Sequence, residues 1–432
     1  MIRVALPVPL FVALSAPALA EDCTFHTPTD IVVAKELMIT DLSVVNDRRA
    51  NGPSGAWSFG GLMQTMAPKP EDAGVFVKNW LRSWQTATSV NGFPLEARPD
   101  IDKVIIAPWM KRDGAKSLES WTVNFANAPF RLLAIVYRPD LGVVTPDNKI
   151  ADAGEGRLVF TALDLRDGKS IDQANPLPFT VIFEYGLRAT DRNAVKTWAE
   201  KWHALGQLPF GDDYNARLQA VTDAFSGRGS DPSKPNGNAI DQLRTDEAAL
   251  AYPWQLREFH LDASGALKNA EAKNTPDQSV LDHPQELSDF IRAHPDDDIP
   301  SRFIGGKADI VNNTFEWPAM ELNNNNFRHN FAMKTCNGCH GIETGSKQDA
   351  GVETFRQIGG RKKDAEATLS AFLSGTPEML QDPTGKIQTF CDLKIRQKAL
   401  QEALNPPPAD AALPGLHPDD LSVARSRRDR SD

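Results

Sequence analysis

Cys336-Asn337-Gly338-Cys339-His340 sets two thiols two residues apart and an imidazole directly after the second, and it takes up half of the chain's four cysteines. Thiolate and imidazole are the soft and borderline metal ligands of proteins, and thiolate is also a strong nucleophile. A redox dithiol would want a strand–turn–helix setting before the motif, and none is legible there. A zinc site would want a second ligand pair at finger spacing, but Cys391 stands alone and His329 lies only a few residues upstream. A structural disulfide between Cys336 and Cys339 would leave His340 without a role.

Covalent attachment of haem uses all three groups. Two thiols that add to the two vinyl groups of a porphyrin must sit close and face one ring edge, and two intervening residues supply that reach. An imidazole directly after the second thiol is then held beneath the iron. This reading assigns one covalent haem c per chain to Cys336, Cys339 and His340. Asn337 and Gly338 are small enough for the tight turn, and Gly341 leaves room for the ring edge.

The flanking residues must position this motif. Asn325 to Thr335 reads as a helix entering it, with Phe327 and Phe331 on one face and Asn325 or Asn326 as cap. Asp364 to Gly375 reads as a second helix with Leu369, Phe372 and Leu373 as its apolar face. Lys386 to Leu404 reads as a third, carrying Phe390, Leu393, Leu400 and Leu404. A helix into CNGCH, a middle helix and a long last helix resemble the class I cytochrome c fold over residues 326–404. The resemblance implies a small all-α domain and a sixth iron ligand, a methionine on the loop before the last helix, which is Met379 here. Met333 is tied to the incoming helix on the proximal side. Met320, His329, an open site and a residue from the N-terminal region remain alternatives. The family often has a proline soon after the motif, whose carbonyl orients the proximal imidazole. No proline occurs here between Gly341 and Thr376, so another acceptor must fix the His340 tautomer. In Ile358 to Lys363, Gly359 and Gly360 permit close backbone approach and Arg361 reaches a propionate; the other reading is a turn with solvated charges.

The N-terminus names the compartment. Arg3 is followed by an uncharged apolar run from Val4 to Pro17, and Ala18-Leu19-Ala20 is a cleavage signal. This predicts a secretory leader (1–20) cut after Ala20, a periplasmic or secreted location, and no membrane span after its removal. The full chain of 432 residues has a net charge of −10, and loss of Arg3 makes it −11. That argues against nucleic acid as a partner and suits a basic redox partner protein. Four cysteines make no disulfide framework, but Cys23 and Cys391 are left over and are candidates to pair.

The fold class expected is α+β: a mixed N-terminal domain (21–300) with a mainly antiparallel sheet, followed by the small all-α domain. Strands are expected at Lys103 to Trp109, Phe130 to Arg138, Arg157 to Leu165, Phe179 to Gly186 and Trp254 to Leu261. Phe179, Val181, Phe183 and Tyr185 alternate, as one buried face requires. Helices are expected at Pro70 to Trp84, Asp191 to Leu205, up to Phe225, after residue 239 and near Pro284 to Ala293. Residues 226–238 are a loop or sub-boundary, 301–325 a connecting segment and 405–432 a disordered tail. Trp198, Trp202 and His203 read as core packing, and His294 to Pro300 as an acidic turn. Residues 21–300 carry no motif with recognisable chemistry. Three functions stay open: electron transfer with the larger domain as dock or scaffold, a haem-dependent oxidoreductase with substrate bound by the N-terminal domain, and a haem-based sensor or binding module.

Overall fold

The computed structural model describes residues 26, 28–144, 150–272, 284–293, 299, 306–310, 317–319, 322, 325–344, 356–373 and 378–406. The leader, Cys23, Met320, the 294–298 turn, most of the 301–325 connection and the tail beyond 406 lie outside these residues.

The mixed α+β class and the antiparallel sheet are both present. Nine strands form the sheet in the order β1 (Met38–Ile39), β4 (Phe130–Arg138), β6 (Ile150–Leu163), β7 (Pro176–Arg188), β8 (Ile240–Asp246), β9 (Trp254–Leu261), β10 (Leu267–Ala270). β5 (Val143–Val144) pairs with β6, and β11 (Ala308–Ile310) pairs with β9. A separate hairpin joins β2 (Thr88–Val90) to β3 (Phe93–Leu95). All sheet pairings are antiparallel. The helix expected after residue 239 is β8: Ile240, Leu243 and Thr245 are buried between β7 and β9, and that pairing outweighs local propensity.

One face of the sheet carries a helical layer. It includes α1 (Phe59–Met66), α2 (Ala73–Arg82), α3 (Ala107–Arg112), α4 (Arg192–Gly206) and α5 (Asp212–Ser226). Phe179, Val181, Phe183 and Tyr185 are fully buried on this face, as their alternation requires. They join Trp57, Phe59, Trp80, Trp84 and Trp109 in the largest core. Trp202 stacks on Tyr137 at 4.9 Å and 7°, and His203 Nδ1 bonds Glu36 Oε2 at 2.9 Å, so this trio is core and its edge. Lys103 to Trp109 is helical, not a strand: a π-turn over Asp102–Ile106 runs into α3. Val104, Ile105, Ile106 and Trp109 are all buried, which a helix permits on an enclosed site, and Pro108 sits in the first turn where no N–H is needed.

The C-terminal segment packs on the other face. Ala367, Leu373 and Leu393 cluster with Met38, Leu133, Ala134, Val136 and Val159 of the sheet. The segment comprises α7 (Asn325–Met333), α8 (Cys336–Cys339), a hairpin of β12 (Glu378–Gln381) and β13 (Ile387–Phe390), and α9 (Asp392–Leu404); α6 (Pro284–Ala293) precedes it. It is not a small all-α domain. The expected middle helix is one turn at Ala371–Leu373. Upstream, Gly359 N bonds Thr368 O at 2.8 Å and Ser370 N bonds Gln357 O at 3.0 Å, so an antiparallel contact satisfies backbone groups a helix would have used. The expected third helix begins six residues later than Lys386, because Asp382-Pro383-Thr384-Gly385 turns the chain into the hairpin, with Gly385 at φ +85°. No described helix is long and apolar enough to cross a membrane.

Candidate functional site

Thr335 begins the motif's local structure. Its hydroxyl oxygen accepts from Gly338 N at 3.0 Å and from Trp317 Nε1 at 3.0 Å, capping the single turn Cys336–Cys339. Position 338 must be glycine, because a Cβ there would lie 2.0 Å from the Ala332 carbonyl oxygen. His340 N closes the turn on Cys336 O at 2.9 Å. Cys336 and Cys339 thus stand one turn apart, and neither is in a disulfide. Cys391 is disulfide-bonded, while its candidate partner Cys23 lies outside the described residues.

Cys336, Cys339 and His340 all line one cavity of about 610 Å³. This falls within the range of small-molecule and cofactor pockets. Its floor is the sheet face opposite the helical layer. Cross-strand registers lay Val136, Arg157, Glu184 and Gln242 in one row, with Val159, Ile182, Arg244 and Glu258 in the next. The wall therefore mixes apolar Val136, Val159 and Ile182 with charged Arg138, Arg157, Glu184, Arg244 and Glu258. Arg244 Nε bonds Glu258 Oε2 at 2.8 Å and its Nη1 reaches Glu184 at 3.3 Å, so the charges are largely paired within the wall. Leu373, Phe372 and Ile358 of the C-terminal segment supply apolar cover.

His340 rests on the sheet. Its ring stacks on Trp254 at 5.1 Å between centroids and 23° between planes. Trp254 Nε1 in turn donates to Asp246 Oδ1 at 2.9 Å. Trp254 also packs beside Cys336 in a small cluster with Leu256 and Ala308. Burial raises the Asp246 carboxyl above its ordinary value, against the pull of the nearby His340 and Arg356 charges. Burial likewise pushes the Cys339 thiol up to about 12, with the Cys336 thiol adding to the effect.

The other expected site residues lie elsewhere. Met379 is on β12, 72% exposed, and is not among the cavity's lining residues; Met38 and Met333 are. Arg361 is 1% exposed and holds the protein together rather than facing the cavity. Its guanidinium donates to Leu132 O at 2.8 Å, Val45 O at 2.9 Å, Asn46 Oδ1 at 2.9 Å and Lys363 O at 2.9 Å. The close approaches at Gly359 and Gly360 are to Thr368 and Pro176.

Behind the motif, His329, Glu343 and Asp382 bring potential ligand atoms within 4.8 Å of one another. Arg328 already supplies the positive charge there: it reaches Glu343 with two nitrogens, one at 3.0 Å, and Asp382 at 3.5 Å. The cluster is a buried ionic network that ties α7 to the hairpin. Asp382 also accepts from Asn325 Nδ2 at 2.7 Å, Gln388 Nε2 at 2.8 Å, Thr384 Oγ1 at 2.7 Å and Thr384 N at 2.9 Å. Burial alone would raise its carboxyl, but the bonds from Gln388, Thr384, Asn325 and the Lys386 N–H hold it well below the usual range. Asp382→Asn is expected to lower stability by about 1–3 kcal/mol in urea unfolding at pH 7. The sign with pH follows. A depressed folded-state pKa stabilises above the unfolded value of about 3.9, and that contribution is lost as pH falls below it. The Asn variant is expected to show a shallower acid decline than the parent, and parallel declines would refute the assignment.

The sheet wall escaped sequence reading. Arg157, Glu184, Gln242, Arg244 and Glu258 form no local motif, and the region after residue 239 is expected to be helical, so nothing in the sequence sets them side by side. The hairpin signal was present in the Asp-Pro-Thr-Gly turn. No family model, curated protein or solved structure matches the chain.

Proposed function

We propose that the chain is an exported mono-haem c-type protein that transfers electrons to a partner protein, with its haem in the cavity between sheet and C-terminal segment. The observation that carries this is the convergence of two cysteines outside any disulfide and His340 on one cavity. The donor set fits the group: two thiols to hold it covalently, an imidazole for iron, and a wall part apolar and part charged, with arginines among the charges. When bound, haem supplies reversible one-electron storage. Cys336 and Cys339 would hold it as thioethers and His340 would ligate iron. Trp254 fixes the plane of the imidazole, and the sheet wall limits water access from below. The larger domain is then no bystander, since it forms half of the site.

Met38 and Met333 are thioethers of the wall; Met333 ends the helix that enters the motif on the His340 side, which leaves Met38 on β1 as the candidate for the sixth ligand. Met379→Ala is expected to leave the spectrum of the matured protein unchanged. Loss of a methionine–iron charge-transfer band in that variant would restore Met379 and count against Met38.

The test is absorption spectroscopy in both redox states on protein from a host with c-type maturation machinery, with the denatured chain stained for haem and weighed. A stained band and a mass above that of the polypeptide are expected. A mass equal to the bare polypeptide overturns the proposal.

A further inference from the structure

Arg396 lies on α9 one turn after Asp392 and is 2% exposed. Its Nη2 meets Asp392 Oδ2 at 2.5 Å. Its Nε and Nη1 are buried and have no hydrogen-bond partner among the described residues. Three N–H bonds of a charged group therefore lack an acceptor. Native proteins keep few such orphans, because a buried charged donor without an acceptor bears its full desolvation cost. The two guanidiniums near it are already matched. Arg138 Nε meets both Asp140 oxygens at 3.0 Å, and Arg157 reaches Glu155 at 2.9 and 2.6 Å. All three arginines line the cavity, beside Val136, Val159 and Leu373.

The missing group can be described from these surroundings. It must accept hydrogen bonds and favour a guanidinium. It must also tolerate Asp392 and Asp140 nearby, which disfavours a doubly charged phosphate. It must belong to a ligand whose body suits an apolar wall. We propose that Arg396 anchors a carboxylate-binding subsite in the cavity, taking the acid group of a ligand whose apolar body lies against Val136, Val159 and Leu373. The acid is either the propionate arm of a covalently held tetrapyrrole or the carboxylate of a small free acid. The subsite stands on the orphaned donors and does not require the haem reading.

The test compares the matured parent with Arg396→Met and Arg396→Lys, each checked for folding by circular dichroism. In one arm, resonance Raman spectra report the propionate bending modes, and redox titration reports the midpoint. In the other, sodium butyrate is titrated at fixed ionic strength against sodium chloride, with thermal unfolding as readout. If the acid is the propionate, Arg396→Met shifts the bending modes and the midpoint, and butyrate does nothing to the parent. If the acid is free, butyrate raises the parent's unfolding temperature saturably, with at least tenfold weaker response in Arg396→Met. Should Arg396→Met not fold, Arg396→Lys gives the same readouts, since an ammonium cannot reproduce the donor positions of a guanidinium. Variants that match the parent in Raman modes, midpoint and butyrate response would overturn the subsite. If no covalent haem forms, the butyrate arm is run on the haem-free chain, so the two proposals fail separately.

Discussion

On the proposed haem reading, replacing Cys336 and Cys339 together by serine is expected to take haem on the denatured chain from one equivalent to none, while either single change is expected to leave one thioether and a stained band. The asymmetry would follow from two independent covalent bonds at residues one helical turn apart, both bordering the same cavity. The double change keeps the Thr335 cap and the Gly338 approach, which set the local backbone, so the chain is expected to fold. Serine is close to isosteric with cysteine, and the structural cost is expected to stay within about 1–2 kcal/mol. Mass spectrometry of the denatured protein reads the outcome. A double variant with the parent's mass and stain would place attachment elsewhere.

The second large effect is structural. Arg361→Met is expected to destabilise the fold by about 3–5 kcal/mol, because a buried charged donor is removed and its acceptors are left behind. The Leu132 and Val45 carbonyls and the Asn46 side chain lose their partner at once. Arg131 compounds the effect, since its Nη1 bonds the Arg361 carbonyl at 3.1 Å and the two arginines clamp the same strip of chain. Urea unfolding followed by tryptophan fluorescence measures the loss. Under folding conditions the variant's haem spectrum is expected to match the parent's. A stable variant with an altered spectrum would instead return Arg361 to the haem.

The motif stands out in sequence because it is local, five consecutive residues, and the structure adds that its two thiols and imidazole share one cavity. The strands at Phe130 to Arg138 and Phe179 to Gly186 were legible because their apolar runs carry β-branched and aromatic residues. Lys103 to Trp109 looked the same and is helical; Val104, Ile105, Ile106 and Trp109 are all buried, so the segment shows no polar face that would have marked a helix. The Asp364 to Gly375 pattern looked helical, but its Thr368 and Ser370 backbone groups found partners at Gly359 and Gln357 across an irregular turn. The polar side of the sheet was the costliest omission. Charged residues at alternate positions signal water when nothing else is known, and only the return of residues 356–404 shows that they border a covered cavity. No local pattern encodes that return. The position of Met379 illustrates the same limit, since its place on an outward hairpin depends on how Asp382 anchors the turn.

The docking of Ala367, Leu373 and Leu393 onto Met38, Val136 and Val159 bears on any attempt to cut the protein apart. A fragment spanning 326–404 would carry the attachment motif with half its cavity open to water and an apolar underside exposed. The complementary fragment would bare a sheet face whose arginines and glutamates are matched but whose leucine cover is gone. The tail end of this chain is thus not a portable module, and transplanting it onto another host would mean transplanting the sheet as well.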